Sequence, residues 1–143
     1  MSAVETTGGV PPRTPGGWLG ALGFEIEELT GTRVVGHLDV TTDHHTPWGV
    51  VHGGVFATIV ETSGSLGASA AVADRGQIAV GVHNSTDFLR PTVVGRIDVV
   101  AQPILQGRVQ QLWSVDFSRH DDGKLVAQGR LRVQNVPLPS TAE

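Results

Sequence analysis

The sequence predicts an α+β domain in which one long central helix is wrapped by a five- to six-stranded antiparallel sheet. Three observations carry this prediction. From Val50 to Ala73 the chain is apolar or small, and Glu61 is its only formally charged side chain, the pattern of an enclosed helix rather than an amphipathic one. Downstream, four segments alternate apolar and polar residues and are joined by short turns, which implies hairpin-linked antiparallel pairing. Nothing else in the chain can cover the helix, so the sheet must.

The chain of 143 residues fits one domain with a real core. A formal net charge of −4 gives no basic footprint, which argues against nucleic acid as a partner. With no Cys, disulfides, thiolate zinc sites and a cysteine nucleophile are excluded. Met1 to Gly9 lacks basic residues followed by an apolar run, so no signal peptide is read there. Val50–Ala73 reaches the roughly 20 residues needed to span a bilayer. It also holds Glu61, two Thr, three Ser and several Gly, so it is read as a core helix and not a membrane span. The expected setting is cytoplasmic, with no membrane partner.

Residues 1–16, rich in Gly, Pro, Thr and Ser, read as a flexible leader. The domain is expected over 17–137, with a frayed tail over 138–143. Trp18–Leu22 forms a short helical turn. Phe24, Ile26 and then Thr32–Val40 form a strand pair around Gly31, with Val34, Gly36, Leu38 and Val40 on one face and Arg33, His37 and Asp39 on the other. Thr41–Val51 is a loop, and the long helix runs from Gly53 to about Asp74, where Gly76 suits a C-terminal cap. The later strands are Ile78–Phe88, Ile97–Leu105, Gln111–Arg119 and Leu125–Val133, with Asp122-Gly123 as the hairpin turn of the last pair. Gly64 and Gly67 inside the helix each cost about 1 kcal/mol relative to Ala, which argues for close packing there.

An ionised carboxylate taken from water needs a partner or a function, so Glu61 is the first candidate for chemistry. Ser65 lies four residues on and Thr58 three before, all on one helical side. A carboxylate with a hydroxyl one turn away can hold a water, the carboxylate acting as base. The competing reading is a buried glutamate satisfied by sheet backbone or an arginine. Gly53-Gly54 opens the helix, where free N–H groups and the positive dipole end suit an oxyanion. Glycine there lets a carbonyl approach the backbone; an ordinary loop-to-helix junction is the alternative. His52 could donate to a substrate or be a loop histidine.

Distance constrains these candidates. Gly53 and Glu61 are eight residues apart, about 12 Å along a helix, too far to serve one carbonyl within one chain. If both act on one substrate, they must come from two copies in a symmetric dimer. His44, His45 and His52 lack a metal-site pattern, so no metal is expected. No nucleophile elbow or phosphate-cradling glycine loop occurs. Arg90, Arg96 and Arg108, at or near strand ends and turns, are candidates for a phosphorylated ligand.

Val51-His52-Gly53-Gly54-Val55-Phe56-Ala57, followed by Glu61-Thr62-Ser63-Gly64-Ser65-Leu66-Gly67-Ala68, resembles the hotdog-fold acyl-CoA thioesterases. The similar branch is that of the PaaI-like and Arthrobacter-type 4-hydroxybenzoyl-CoA enzymes. Asn84–Pro91 and Gly107–Trp113 also resemble that family, and the likeness covers roughly residues 22–135. The resemblance implies hydrolysis of an aryl- or fatty acyl-CoA with no cofactor, by homodimers, often paired into homotetramers, with sites between subunits. It implies Glu61 as general base or nucleophile, Ser65 as the hydroxyl positioning water, and Gly53 as carbonyl-polarising donor with His52 beside it. Gly54 belongs to the same substrate-binding junction. Phe88, Arg90, Gly107 and Arg108 are implied to hold coenzyme A. Relatives commonly place Gln six residues before the His; here that position is Thr46, whose shorter hydroxyl bears on rate and substrate choice. Two other functions fit the same fold, an acyl-CoA-binding or sensing protein without catalysis and a 3-hydroxyacyl-thioester dehydratase.

Overall fold

In the computed structural model, residues 17–140 are described; the expected leader and the last three residues lie outside them. The elements are α1 (Gly17–Leu22), β1 (Glu25–Leu29), β2 (Val34–Val40), α2 (Gly53–Val72), β3 (Gln77–Phe88), β4 (Gly95–Gln106), β5 (Gln110–Arg119) and β6 (Leu125–Pro137). Among them the six strands form one sheet in the order β1-β2-β4-β5-β6-β3, antiparallel at every step. This is the predicted architecture. The helix enters between β2 and β3, so the chain crosses the sheet from β2 near one edge to β3 at the other.

The period-two patterns place the core. β2 turns Val34, Gly36, Leu38 and Val40 inward as expected, and β4 does so with Ile97, Val99 and Ala101. β5 buries Trp113, Val115 and Phe117, and Gln111 with them. Phe117 meets Phe56 of α2 edge-on, with ring centroids 5.1 Å apart, a favoured aromatic geometry. Gly123 takes φ +70° in the β5–β6 turn, and Gly76 takes φ +65° where the helical segment stops. Both are left-handed positions that glycine occupies without strain.

The helix rests on the sheet through Val55, Phe56, Ile59, Val60, Ser63, Gly64, Gly67, Ala68 and Val72. Gly67 lies under the Trp113 indole, where an added Cβ would come within 2.5 Å of Cη2. Gly64 meets Leu131 in the same way, at 2.8 Å. The interior glycines therefore serve close helix-to-sheet approach. By length and composition α2 could cross a membrane; here it is the helix on which the sheet packs.

One expectation needs correction. The helix is not enclosed nearly all round, because the sheet covers one face and, among the described residues, only Trp18 of α1 touches the opposite one. That open face carries Thr58, Thr62 and Ser65, partly exposed, and Glu61, exposed. Small uncharged residues tolerate either setting, so the missing charges signalled a face without a polar rim rather than one covered by this chain. β3, at the sheet edge, is correspondingly open: Val80, Val82 and Phe88 are all exposed. Its backbone bulges between Gly81 and His83.

Candidate active site

The approach to α2 is fixed by histidines. His44, buried, accepts from the Thr41 N–H at Nδ1 (3.0 Å) and donates from Nε2 to the Leu22 carbonyl (2.7 Å). Both ring nitrogens are occupied, so this residue ties α1 to the loop and is not free to bind a metal. His45 Nε2 donates to Val93 O at 2.6 Å, and Val51 N–H donates to Thr92 O at 2.9 Å. These bonds join the loop before α2 to the β3–β4 connection. No group of three or more acidic or histidine side chains is placed to hold a metal among the described residues.

His52 is the N-cap of α2. Its Nδ1 accepts from the Gly54 N–H at 2.8 Å, and its carbonyl accepts from Val55 N–H at 3.0 Å. That leaves the Gly53 N–H, the first of the helix, without a partner among the described residues. Glycine is needed here because the Phe88 ring lies over the backbone: a Cβ on Gly53 would come within 2.5 Å of Phe88 Cζ. A Cβ on Gly54 would stand 2.9 Å from His52 Nδ1 and strain the cap. The junction thus presents one unpaired N–H at the positive end of a 20-residue helix.

Two turns further on, Glu61 opens into a cleft of about 410 Å³ between α2 and β3, lined by Ala57, Thr58, Glu61, Asn84, Thr86 and Phe88. The carboxylate makes no ion pair or hydrogen bond among the described residues. The expectation that it is removed from water fails for a single chain: Glu61 is exposed, and among the described residues only Trp18 of α1 reaches the open face of α2, at Thr58. Gly81 leaves space beside it, an added Cβ lying 3.5 Å from Oε1. Asn84 fixes β3 against the helix, donating from Nδ2 to Ala57 O (2.9 Å) and accepting from Thr86 Oγ1 at Oδ1 (2.7 Å). Thr58 donates to Gly54 O at 2.8 Å. Ser65 is half-buried one turn beyond Glu61, outside the cleft lining.

The remaining predicted residues separate into two groups. Phe88 and Arg90 lie toward the N-terminal end of α2, and Arg90 Nη1 donates to Leu125 O at 2.6 Å. Gly107 and Arg108, in the β4–β5 turn, lie toward its other end. Their carbonyls accept from Asn135 Nδ2 at 3.2 and 3.1 Å, and Asn135 Oδ1 accepts from Gln111 Nε2, which also donates to Ala68 O. Gly53 and Ala68 are fifteen residues apart, about 22 Å along the helix, so one chain does not bring the two groups together. Thr46 accepts from Trp48 N–H at 3.2 Å within the tight turn before Val50. Arg96 belongs elsewhere, to a network on the outer face with Asp98, Glu27 and His120. Burial pushes the Asp98 carboxyl up, but hydrogen bonds from His120 and Arg96 outweigh it and hold the group below the usual carboxylate range. The Asp98 bond in turn raises Arg96.

Sequence reasoning missed Asn84 and Thr86 as cleft residues, although with Phe88 they follow the strand period of two. It also missed Trp18, whose indole Nε1–H donates to Thr58 Oγ1 at 3.3 Å. A contact across 40 residues leaves no local signal.

Comparison with known proteins matches this arrangement to a family. The thioesterase superfamily model matches residues 49–126, which span the α2 junction, the cleft and most of the sheet. The chain belongs to the thioesterase superfamily, has its hotdog fold, and is a thioester hydrolase. It is 38% identical over 117 residues to a provisionally named esterase of Mycobacterium tuberculosis, covering 80% of this chain and 83% of that one. The solved structure of that esterase superposes with a TM-score of 0.81, covering 85% of this chain and 97% of that chain at 36% identity. The 1,4-dihydroxy-2-naphthoyl-CoA thioesterase 2 of Arabidopsis thaliana is 43% identical over 96 residues, 66% of this chain and 59% of that one. The S. sahachiroi protein AziG superposes with a TM-score of 0.82 at 38% identity, covering 87% of this chain and all of that one.

Proposed function

We propose that the chain hydrolyses the thioester of an aryl- or fatty acyl-CoA at two equivalent sites, each made by two copies. Glu61 of one copy works on a carbonyl bound at the Gly53 N–H of the other. The observation carrying this reading is the pair of groups on α2 without partners among the described residues: an N–H at its N-terminus and a carboxylate about 12 Å along it. Two antiparallel copies of α2, meeting through their open faces, would bring each N-terminus to the other's Glu61. The exposed edge of β3 supports the same pairing, because an unpaired strand edge is a template for another chain. Such pairing would also bring Gly107 and Arg108 of one copy toward the N-terminal end of the other's helix. There Arg108 could meet a coenzyme A phosphate, with Arg90 and Phe88 nearby. A homodimer is the unit this requires; pairing of dimers into tetramers, and a cytoplasmic setting, are part of the same reading.

Chemically, the thioester oxygen accepts from Gly53 N–H. Water deprotonated by Glu61, or the carboxylate itself, adds to the carbonyl carbon, and the negative charge developing on oxygen is held by the preorganised helix N-terminus. Collapse expels the coenzyme A thiolate, which takes up a proton, and the acid is released; the carboxylate route adds hydrolysis of an anhydride. Covering the site by a second copy would strengthen these interactions by excluding water. Thr58 and Ser65 flank the carboxylate; the Thr58 hydroxyl is engaged by Gly54 O and the Trp18 indole, so Ser65 is the hydroxyl available to a bound water. Thr46 Oγ1 accepts from Trp48 N–H, which leaves its own O–H proton to donate to a bound carbonyl beside the Gly53 N–H. The Arabidopsis relative is named for an aryl substrate, which supports the aryl end of the range. Replacing Glu61 by Gln should lower thiol release from a panel of aryl-, short- and long-chain acyl-CoAs by 100-fold or more, on the order of general-base contributions. An unchanged rate would refute the assignment.

A further inference from the structure

Trp18 takes no part in the reaction above, yet it stands at its edge. It lies on α1, which is anchored at the other end by buried Leu22 and by the His44 bond to the Leu22 carbonyl. The Thr58 hydroxyl spends its proton on Gly54 O and accepts the indole N–H. The one polar side-chain atom of Trp18 is therefore satisfied at the rim of the cleft, on a residue three before Glu61, while 63% of Trp18 stays exposed. Trp18 thus stands beside the cleft through Thr58, and the cleft itself is lined by another aromatic ring, Phe88, 58% exposed, with Ala57 as a small residue between helix and strand. Exposed rings at an open cleft offer flat apolar surface, and aromatic groups pair with such surface in stacked or edge-on geometry.

We infer that Trp18 is a specificity-determining residue: its indole covers the acyl group bound against Thr58 and Glu61 and favours flat aryl groups over linear ones. This rests on the thioesterase reading of that cleft. The test compares benzoyl-CoA with hexanoyl-CoA for the full chain and for Trp18→Ala and Trp18→Phe. Trp18→Ala should raise KM for benzoyl-CoA about tenfold, a typical worth for one apolar pocket group. The effect on hexanoyl-CoA should be small, and Trp18→Phe should recover most of the loss. Equal effects on both substrates would mean that α1 only supports the fold, and would overturn the inference. Binding gives a second readout that needs no turnover. In a Trp48→Phe, Glu61→Gln chain, benzoyl-CoA should quench indole fluorescence saturably, and adding Trp18→Phe should abolish the quenching; persistence of the signal would also overturn the inference. If the parent hydrolyses no acyl-CoA, the proposed reaction fails while this binding measurement still decides the role of Trp18.

Discussion

Replacing Gly67 by Ala should destabilise the protein, although alanine is the better helix former. Two terms favour the substitution: about 1 kcal/mol from helix propensity and up to about 0.8 kcal/mol from one more buried carbon. Against them stands the space available. The new Cβ would lie 2.5 Å from Trp113 Cη2, 2.7 Å from Cζ3 and 3.0 Å from Val34 Cγ2. Trp113 is fully buried and cannot swing aside, because its Nε1–H is held by Gln111 Oε1 at 3.0 Å while Gln111 Nε2 is bonded to Ala68 O at 3.0 Å. Moving the indole by the ångström required would lose packing and strain that network. Overpacking costs about 3 kcal/mol at the upper end of its usual range, and a weakened buried hydrogen bond adds about 1 kcal/mol. The net expectation is a loss of about 2 kcal/mol. Urea unfolding followed by tryptophan fluorescence at fixed protein concentration measures it, as a lower midpoint at unchanged slope. A Gly67→Ala protein as stable as the parent would refute the close-packing account of this helix.

Other expectations follow from the site and the outer face. His52→Ala removes the cap on Gly54 and should cost about 1 kcal/mol, whereas His52→Asn, a good capping residue, should restore stability; any activity still missing in the Asn variant then reports on the imidazole itself. Gly53→Ala should lose activity with little loss of stability, because the ring it displaces is the exposed Phe88; activity assays beside the same urea titration separate the two. Asp98 is held below its usual range, so its contribution to stability is present above the unfolded carboxylate value of about 4 and lost as pH falls through the lower folded value. The Asp98→Asn chain should therefore be less stable than the parent at pH 7, and the gap should close on acidification; a gap that stays constant with pH would contradict this.

Much of the fold was legible because the core strands obey a period of two. Val34 to Val40 and Trp113 to Phe117 each declare their inner face, and Asp122-Gly123 declares its turn. β3 was legible as a strand but not as an exposed edge, since Val80 and Val82 look like core residues in a one-dimensional pattern. The open face of α2 was misread for the same reason: Ala, Ser and Thr fit a buried surface and a waiting one equally well. At the site, the His52-Gly53-Gly54 junction and Glu61 stand out locally, by residue type and by charge. Asn84, Thr86 and Trp18 do not, because each matters only through the element folded against it. The separation of Gly53 and Glu61 needed no coordinates, only the rise of a helix, and it carries the central claim.

That claim is tested most directly by mixing two inactive chains. One carries Glu61→Gln and the other Gly53→Val, and each alone lacks one half of both sites. If the sites are shared, a mixed dimer has one site with both halves intact and one with neither. Random reassortment of equal amounts makes half the dimers mixed, so thiol release should return to about one quarter of the parent rate. No recovery after demonstrated subunit exchange would contradict a site built from Gly53 of one copy and Glu61 of another.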